Sequence, residues 1–439
     1  MKIMKFGGTS VGRPDRMHQV KDLITRDSEK KIVVLSALSG TTNALVGIGD
    51  ALADANKDLA KERIDVLHKH YQGFYQDLLR TDAAKSKAEK IIKEHFEFLN
   101  IILKISFNEA INRDILAQGE LLSTKLFYTL LQEFDIPAVF LPALDFMSIN
   151  ENQEPELNKI SEKLKSILKN YPGDRIFITQ GYICKNHRNE VDNLKRGGSD
   201  YTASLIGAAI QSDVIEIWTD IDGMHNNDPR IVDKTRPIAQ LSFDEAAELA
   251  YFGAKILHPA SIWPAQQFNI PVKLLNTMEP DALGTTITAE ELGSGVKALA
   301  GKDGITAIKI KSSRMLLAYG FLRKVFEVFE KYKTPIDMIT TSEVAVSVTI
   351  DEITHLKEIV SELEKYGTVE VDKDQAIISI VGNQIAETKG VITNIMTCLD
   401  DYPIRMVSYG GSRHNISILV DSKLKNSALR SLNAGLFEW

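Results

Sequence analysis

The chain of 439 residues is 44% hydrophobic and 25% charged, the balance of an ordinary globular protein with more than one domain. Its 52 Lys and Arg face 59 Asp and Glu, a formal charge of -7 without long like-charge blocks, so no nucleic-acid or anionic-membrane partner is expected. Cys184 and Cys398 form neither a disulfide framework nor a CxxC pair, and no signal core or apolar run of about 18 residues is present, so a cytoplasmic chain without a membrane span is expected.

The first elements predicted are a strand at Ile3 to Phe6, a glycine turn, a helix from about Pro14 to Thr25 and a β-branched strand from Lys31 to Leu35, the opening of a parallel sheet. No proline interrupts the chain between Pro14 and Pro137, and apolar residues recur at helical spacing, as at Ile92, Phe96, Leu99 and Ile102, which predicts one long helical stretch from about Thr42 to Phe134. Strand-like runs follow at Ala138 to Leu141, Arg175 to Gly181, Val214 to Trp218 and Val272 to Leu275, separated by helical patterns at Thr202 to Ala209 and Phe243 to Phe252. Gly293, Gly295, Gly301 and Gly304 then mark an expected linker. Beyond it a βαββαβ-like layout occurs twice with a period of about seventy residues, each copy without an obvious nucleophile, which points to ligand sensing or assembly.

Four clusters carry the chemistry. Lys5, Phe6, Gly7 and Gly8 put a lysine at a strand end before a turn whose amides can face a phosphate; the lysine precedes the glycines, so this is not a Walker A loop. Arg196, Gly197, Gly198, Ser199 and Asp200 open a helix, with an arginine suited to a carboxylate or phosphate and an aspartate that could equally be a helix cap. Thr219, Asp220, Asp222, Asp228, Pro229 and Arg230 follow a strand end, where open α/β sheets bind ligands, although Asp-Pro-Arg alone reads as a solvated turn. The last, Phe252 to Pro259, holds Lys255 and His258, the latter read as the end of a capped helix.

Taken in order, KFGGTSV (5–11), SALSGTTN (36–43), QGELLS (118–123), RGGSDYTA (196–203), WTDIDG (218–223) with DPR (228–230), and YFGAKILHP (251–259) resemble the signature set of the aspartate kinases of the amino acid kinase family. The segments from Met315 to Asp351 and from Ile404 to Val420 are similar to the tandem ACT domains of the lysine-sensitive, monofunctional members, and no fused homoserine dehydrogenase is expected after Trp439. The resemblance implies a three-layer α/β/α sandwich with a mostly parallel central sheet at 1–292, a linker and strand at 293–303 that joins the C-terminal module, and two ferredoxin-like βαββαβ ACT domains at 304–373 and 374–439.

It also implies the activity: transfer of the ATP γ-phosphoryl group to the side-chain carboxylate of L-aspartate, with Mg²⁺ on the phosphates and no dedicated metal-ligand set in the protein. Lys5 and Asp200 are the implied catalytic pair. Thr42, Glu120, Arg196 and Ser199 are implied to bind aspartate, Glu120 its ammonium and Arg196 its α-carboxylate. Lys5, Phe6, Gly7, Gly8, Thr219, Asp220, His225, Arg230 and Lys255 are the implied ATP contacts, with His225 where many relatives carry tyrosine. Met315, Ala318, Gly320, Phe321, Leu322, Ile336, Asp337 and Ser342 are the implied effector site; Ala318 replaces a serine frequent in lysine-binding relatives, so lysine is the expected effector and threonine the alternative. A homodimer or dimer of dimers is implied. A glutamate or N-acetylglutamate kinase, and a non-catalytic amino acid sensor, are the competing readings. The first lacks such a paired tail, and the second has no need to keep Lys5, Glu120, Arg196 and Asp200 together.

Overall fold

The computed structural model describes residues 1–195, 197–253, 257–312 and 319–437. The chain divides into two compact units, each built from separated stretches: Met1–Met224, Ala239–Phe243 and Leu257–Glu290 in the first, and His225–Ile238, Asp244–Ile256 and Glu291–Trp439 in the second.

The first unit opens with β1 (Lys2–Phe6), the single turn α1 (Gly8–Val11), α2 (Pro14–Thr25) and β2 (Lys31–Leu35). Four helices follow, α3 (Thr41–Ala53), α4 (Lys57–Leu78), α5 (Asp82–Ile102) and α6 (Glu109–Glu133), then β3 (Val139–Phe140), α7 (Ala143–Phe146), α8 (Leu157–Leu168), β4 (Ile176–Gln180) and the hairpin β5 (Ile183–Lys185) with β6 (Val191–Asn193). The unit is completed by α9 (Gly198–Ile210), β7 (Val214–Thr219), β8 (Gln240–Ser242), the first residue of α10 (Phe243–Tyr251), α11 (Pro259–Gln267), β9 (Val272–Asn276) and β10 (Thr285–Thr288).

These strands form a sheet in the order β3-β4-β2-β1-β7-β9-β10-β8, parallel from β3 through β9, with β10 antiparallel to β9. All five residues of β2 are buried and β1 is nearly so, as expected for central parallel strands covered on both faces. Register pairs Phe6 with Leu35 and with Trp218, Leu35 with Gln180, and Trp218 with Leu275, so the loops after β1, β2, β4, β7 and β9 leave the sheet along one edge. Binding sites of open α/β sheets lie at that edge.

The helical stretch predicted from Thr42 to Phe134 is broken three times without proline. Asn56, Thr81 and Asn108 each accept, with a side-chain oxygen, the backbone amide three residues on, restarting a helix. The resulting helices share an apolar core that includes Leu52, Leu67, Phe74, Phe96 and Leu126.

In the second unit, β11 (Gly295–Lys311), α12 (Phe321–Lys331), β12 (Ile339–Thr341), β13 (Ala345–Ile350), α13 (Leu356–Leu363), β14 (Thr368–Asn383), α14 (Val391–Cys398), β15 (Met406–Ser408), β16 (Asn415–Asp421) and α15 (Lys425–Leu436) surround one sheet of order β12-β13-β11-β14-β16-β15. The glycines expected to form a linker lie largely inside β11, which runs on as a strand through Gly301 and Gly304. Register shifts on both sides of Ile305 absorb the bend. The first half of β11, Gly295 to Lys302, pairs with Ile377 to Asn383, and the second half, Ile305 to Lys311, with Thr368 to Gln375. Two cores follow this division: Leu299, Ile378, Ile395 and Ile418 in one, Ile308, Val325, Val348 and Ile359 in the other. Among the described residues no helix is long and apolar enough to cross a membrane.

Candidate active site

Lys5 is the only charged residue of β1 besides Lys2, yet it is 8% exposed. Its ammonium lies 2.5 Å from Asp200 Oδ1, and both side chains are largely buried. Asp200 stands in the first turn of α9, where the helix dipole also favours a carboxylate. The turn after β1 is tight: Gly7 donates its amide to the Trp218 carbonyl at 3.3 Å, and a Cβ on Gly12 would meet Ser39 Cβ at 2.6 Å. The Gly7 amide expected to face a phosphate is therefore engaged with β7. Gly8 opens α1, and the first amides of a helix have no intrahelical acceptor.

The second cluster opens α9, whose Asp200 is the partner of Lys5. Gly197, at φ +72°, has no room for a Cβ because His258 Cβ would stand 2.5 Å away. His258 does not end the helix before it, which stops at Tyr251; it stands at the start of α11, where its carbonyl accepts the Ser261 amide at 2.8 Å. A Cβ on Gly181, just beyond β4, would lie 2.5 Å from Ser199 Oγ and 2.9 Å from Ser199 Cα, so Ser199 sits against the sheet edge. Gly181→Ala would therefore push Ser199 aside. Overpacking of this kind costs about 1 to 3 kcal/mol, and the expected result is a lower Tm with a rise of about tenfold in KM for the acceptor substrate, read by melting and steady-state kinetics.

Glu120, on α6, is 4% exposed. Its Oε1 accepts the Ala37 amide at 3.2 Å, while its Oε2 is buried with no hydrogen-bond partner. Burial pushes the carboxyl up to about 8, against the smaller opposing effect of the Ala37 amide. Gly119 makes this approach possible, since a Cβ there would stand 2.8 Å from Ala37 Cβ. Ser123 donates to the Ser36 carbonyl at 2.7 Å, and Gln180 Nε2 donates to Thr124 Oγ1 at 3.1 Å, fixing α6 to the ends of β2 and β4. Tyr182, at φ +66°, donates its amide to Thr202 Oγ1, and its phenol is raised to about 12 by burial and then by the Glu120 charge. A buried carboxylate with one oxygen unpaired is a receptor for a cation.

Thr42 is exposed in the first turn of α3, whereas its neighbour Thr41 is buried and hydrogen-bonded to the Tyr71 hydroxyl at 3.1 Å. Thr219 ends β7, half-buried, and donates to Asp220 Oδ1 at 3.2 Å; Asp220 is exposed. Phe6 stacks on Trp218 with ring centroids 5.8 Å apart, and Ser10 Oγ lies 2.8 Å from Thr277 Oγ1, which ties the ends of β1, β7 and β9. Arg196 and Lys255 lie outside the described residues.

The remaining expected contacts belong to the second unit. His225 Nδ1 lies 2.9 Å from Thr235 Oγ1. Arg230 is exposed and forked onto Asp228 at 2.9 and 2.7 Å, which holds the Asp228 carboxyl below its usual range. Gly320 caps α12 at φ +81°, Phe321 is buried in the module core, Leu322 is 39% exposed, Ile336 is half-buried and Ser342 is exposed. Asp337 is paired with Lys302 at 2.7 Å. Met315 and Ala318 lie outside the described residues.

The resemblance implied a shared site for Lys5, Asp200, Ser199 and Glu120, and the structure brings all four to one sheet edge. It missed the Ala37 amide, Gly181 and Tyr182. The signal for the last two was a glycine directly at a strand's carboxyl end.

Residues 1–276 match the model of the amino acid kinase family, and residues 378–436 match an ACT domain. Over 99% of both chains the sequence is 32% identical to lysine-sensitive aspartokinase 3 of Escherichia coli, and over 99% of this chain and 81% of the other it is 34% identical to chloroplastic aspartokinase 3 of Arabidopsis thaliana. The fold superposes over the full length on E. coli aspartokinase III in complex with aspartate and ADP, at a TM-score of 0.88 and 31% identity, and on the same enzyme in complex with lysine and aspartate, at 0.82 and 32%. Ordered motifs, sheet edge and full-length likeness converge, and the chain belongs to the amino acid kinase family, among its aspartokinases.

Proposed function

We propose that the chain transfers the γ-phosphoryl group of ATP to the side-chain carboxylate of L-aspartate, giving 4-phospho-L-aspartate and ADP, with lysine as the restraining effector of its C-terminal modules. The observation that carries the catalytic reading is the buried Lys5–Asp200 pair at the sheet edge that also holds Glu120.

The acceptor carboxylate is ionised at neutral pH, so no general base is needed. One of its oxygens attacks the γ-phosphorus while the bond to the bridging oxygen of ADP breaks and the leaving electron pair stays on ADP. The barrier is repulsion between anions and charge spread over a loose transition state. Lys5 supplies a positive charge to the transferring group, and Asp200 holds its ammonium in place. Gly8, with Phe6 and Gly7 shaping the turn, offers amide donors to the phosphates. Glu120 takes the α-ammonium of aspartate on its unpartnered oxygen, Arg196 takes the α-carboxylate, and Thr42 and Ser199 add hydroxyls. Thr219 and Asp220 serve the nucleotide from the first unit, while His225, Arg230 and Lys255 are assigned to ATP on the resemblance alone.

The lining around Lys5 suits phosphates rather than a metal. Mg²⁺ would therefore be carried by phosphate oxygens, with the exposed Asp220 carboxylate as the hard oxygen donor the chain can add. Bound there, the ion would neutralise phosphate charge.

Free thiols at Cys184 and Cys398 fit a cytoplasmic setting, and the resemblance to ACT domains, which commonly pair side by side across a two-fold axis, implies a homodimer or dimer of dimers. The test is trapping of the acyl phosphate with hydroxylamine: ATP-dependent hydroxamate is expected with L-aspartate, not with L-glutamate, and is suppressed by L-lysine. Equal signal with glutamate would overturn the substrate assignment. Suppression by threonine alone would reassign the effector.

A further inference from the structure

Three side chains that the phosphoryl-transfer chemistry does not use converge within the second unit: Asp244 in the first turn of α10, Glu291 ahead of β11, and His414 immediately before β16. One carboxylate oxygen from each acid and one ring nitrogen of the histidine all lie within 4.8 Å of one another. Asp244 and Glu291 are exposed, whereas His414 is buried at their base.

Each of the three is placed by contacts of its own. The His414 carbonyl accepts the Gly382 amide at 3.0 Å and its amide donates to Ser412 Oγ at 3.2 Å, which fixes its backbone against the end of β14. Glu291 leads into a turn at Gly293, φ +70°, whose carbonyl accepts Asn383 Nδ2 at 2.7 Å, one residue on from Gly382. Asp244 shares a helix face with Glu248, one turn further on, and Glu248 Oε2 accepts Asn415 Nδ2 at 2.9 Å. Asn415 directly follows His414, so the face of α10 that carries Asp244 is the one laid along the histidine.

The imidazole is the observation that points to a ligand. His414 is 7% exposed, its Nδ1 is buried with no hydrogen-bond partner among the described residues, and its Nε2 stops 3.7 Å short of Glu291 Oε1, beyond hydrogen-bonding distance. Buried ring nitrogens are ordinarily satisfied by a donor, an acceptor or a metal. The neighbouring cation, Arg413, is committed to Glu387 at 3.0 Å. A dication set between the two carboxylates and Nε2 would offset the repulsion of the acids and give the imidazole a partner. One nitrogen with two carboxylates is a donor set for the zinc class rather than for Mg²⁺ or Ca²⁺, which take oxygen alone.

We propose that His414, Glu291 and Asp244 form a site for one divalent cation of the zinc class, distinct from the Mg²⁺ carried by ATP, with water completing the coordination. Rotation of the two exposed carboxylates closes the ligand set around the fixed imidazole. The ion ties the start of α10 and the entry to β11 to the last module, three segments that the chain supplies far apart in sequence. The resemblance did not imply such a site, and the site does not depend on the reading of the acceptor or of the effector.

The test is titration of the full-length protein, stripped by chelator and free of nucleotide, with Zn²⁺ against a chromogenic chelator and with Co²⁺ as a spectroscopic probe. One equivalent per chain is expected, with a Co²⁺ spectrum lacking a thiolate charge-transfer band and a Tm that rises in saturating Zn²⁺. Glu291→Gln, which alters only an exposed side chain, and His414→Ala are each expected to weaken Zn²⁺ binding by about tenfold or more and to remove the Tm rise. No stoichiometric equivalent in the unsubstituted protein, or unchanged affinity in Glu291→Gln, overturns the site and leaves Glu291 and His414 as an ion pair. Binding that is lost in Cys398→Ser instead assigns the metal to the thiol and overturns it equally.

Discussion

Lys5→Met is expected to lower kcat by about 10² to 10³-fold with a much smaller effect on KM for aspartate, because a positioned positive charge acts on the charge that develops during transfer rather than on ground-state binding. The substitution also strips Asp200 of its partner. Both side chains of that pair are largely buried, and breaking a buried pair from one side costs about 3 to 5 kcal/mol. Loss of activity alone would therefore confuse chemistry with folding. The double variant Lys5→Met with Asp200→Asn separates them: it is expected to recover most of the lost Tm while activity stays low. Recovery of activity together with stability would show that Lys5 serves the fold and not the phosphoryl group.

Glu120→Gln is expected to raise KM for aspartate by about 10²-fold, the loss of a charged partner for a buried ammonium. It should at the same time stabilise the substrate-free protein in alkali. The carboxyl is raised to about 8 by burial, so it holds its proton more tightly folded than unfolded. Its contribution favours the folded state fully below the unfolded value and is lost as pH climbs through about 8. At about pH 9 the glutamine protein should then be the more stable by about 1 to 3 kcal/mol, since the orphaned anion is gone. The same proton governs binding. Aspartate pairs with the ionised form, so KM for aspartate should fall as pH rises from about 6 towards 8, by up to about tenfold per unit, and should lose that slope in Glu120→Gln. A slope that persists in the variant would assign the titration to another group.

The alternation of sequence into strands was readable where strands are buried on both faces. Ile32 to Leu35 is a continuous apolar run, Val214 to Trp218 is apolar but for Glu216, and the structure has strands there. Short strands were not. Val191–Asn193 and Gln240–Ser242 have three residues each, largely polar, and are held by register with neighbours that periodicity does not see. Breaks between α3 and α6 escaped because the breakers are ordinary side chains, Asn56, Thr81 and Asn108, acting as caps. Of the site, Lys5 and Asp200 were legible as motif residues. The environment of Glu120 was not, since its burial depends on Gly119 lying against Ala37, a contact between an interior helix and a loop far away in sequence. For the same reason Asp337 was legible only as a member of the implied effector site, while its internal cation, Lys302, comes from beside a bulge in the segment read as a linker and strand.

That long strand has a consequence for how the polypeptide is made. Gly295 pairs with Asn383 and Lys302 with Ile377, while Ile305 to Lys311 close on Thr368 to Gln375, so the last module encloses the one before it. A ribosome would release the outer half of β11 first and its partner only after the whole inner module had emerged. The inner module can condense on contacts close in sequence, but the outer half must stay unpaired meanwhile, and long-range pairings of this kind form late. Folding of the C-terminal unit thus proceeds from the inside outward. A stop anywhere after the inner module and before Asn415 would leave a naked strand edge, the form in which β-rich chains aggregate.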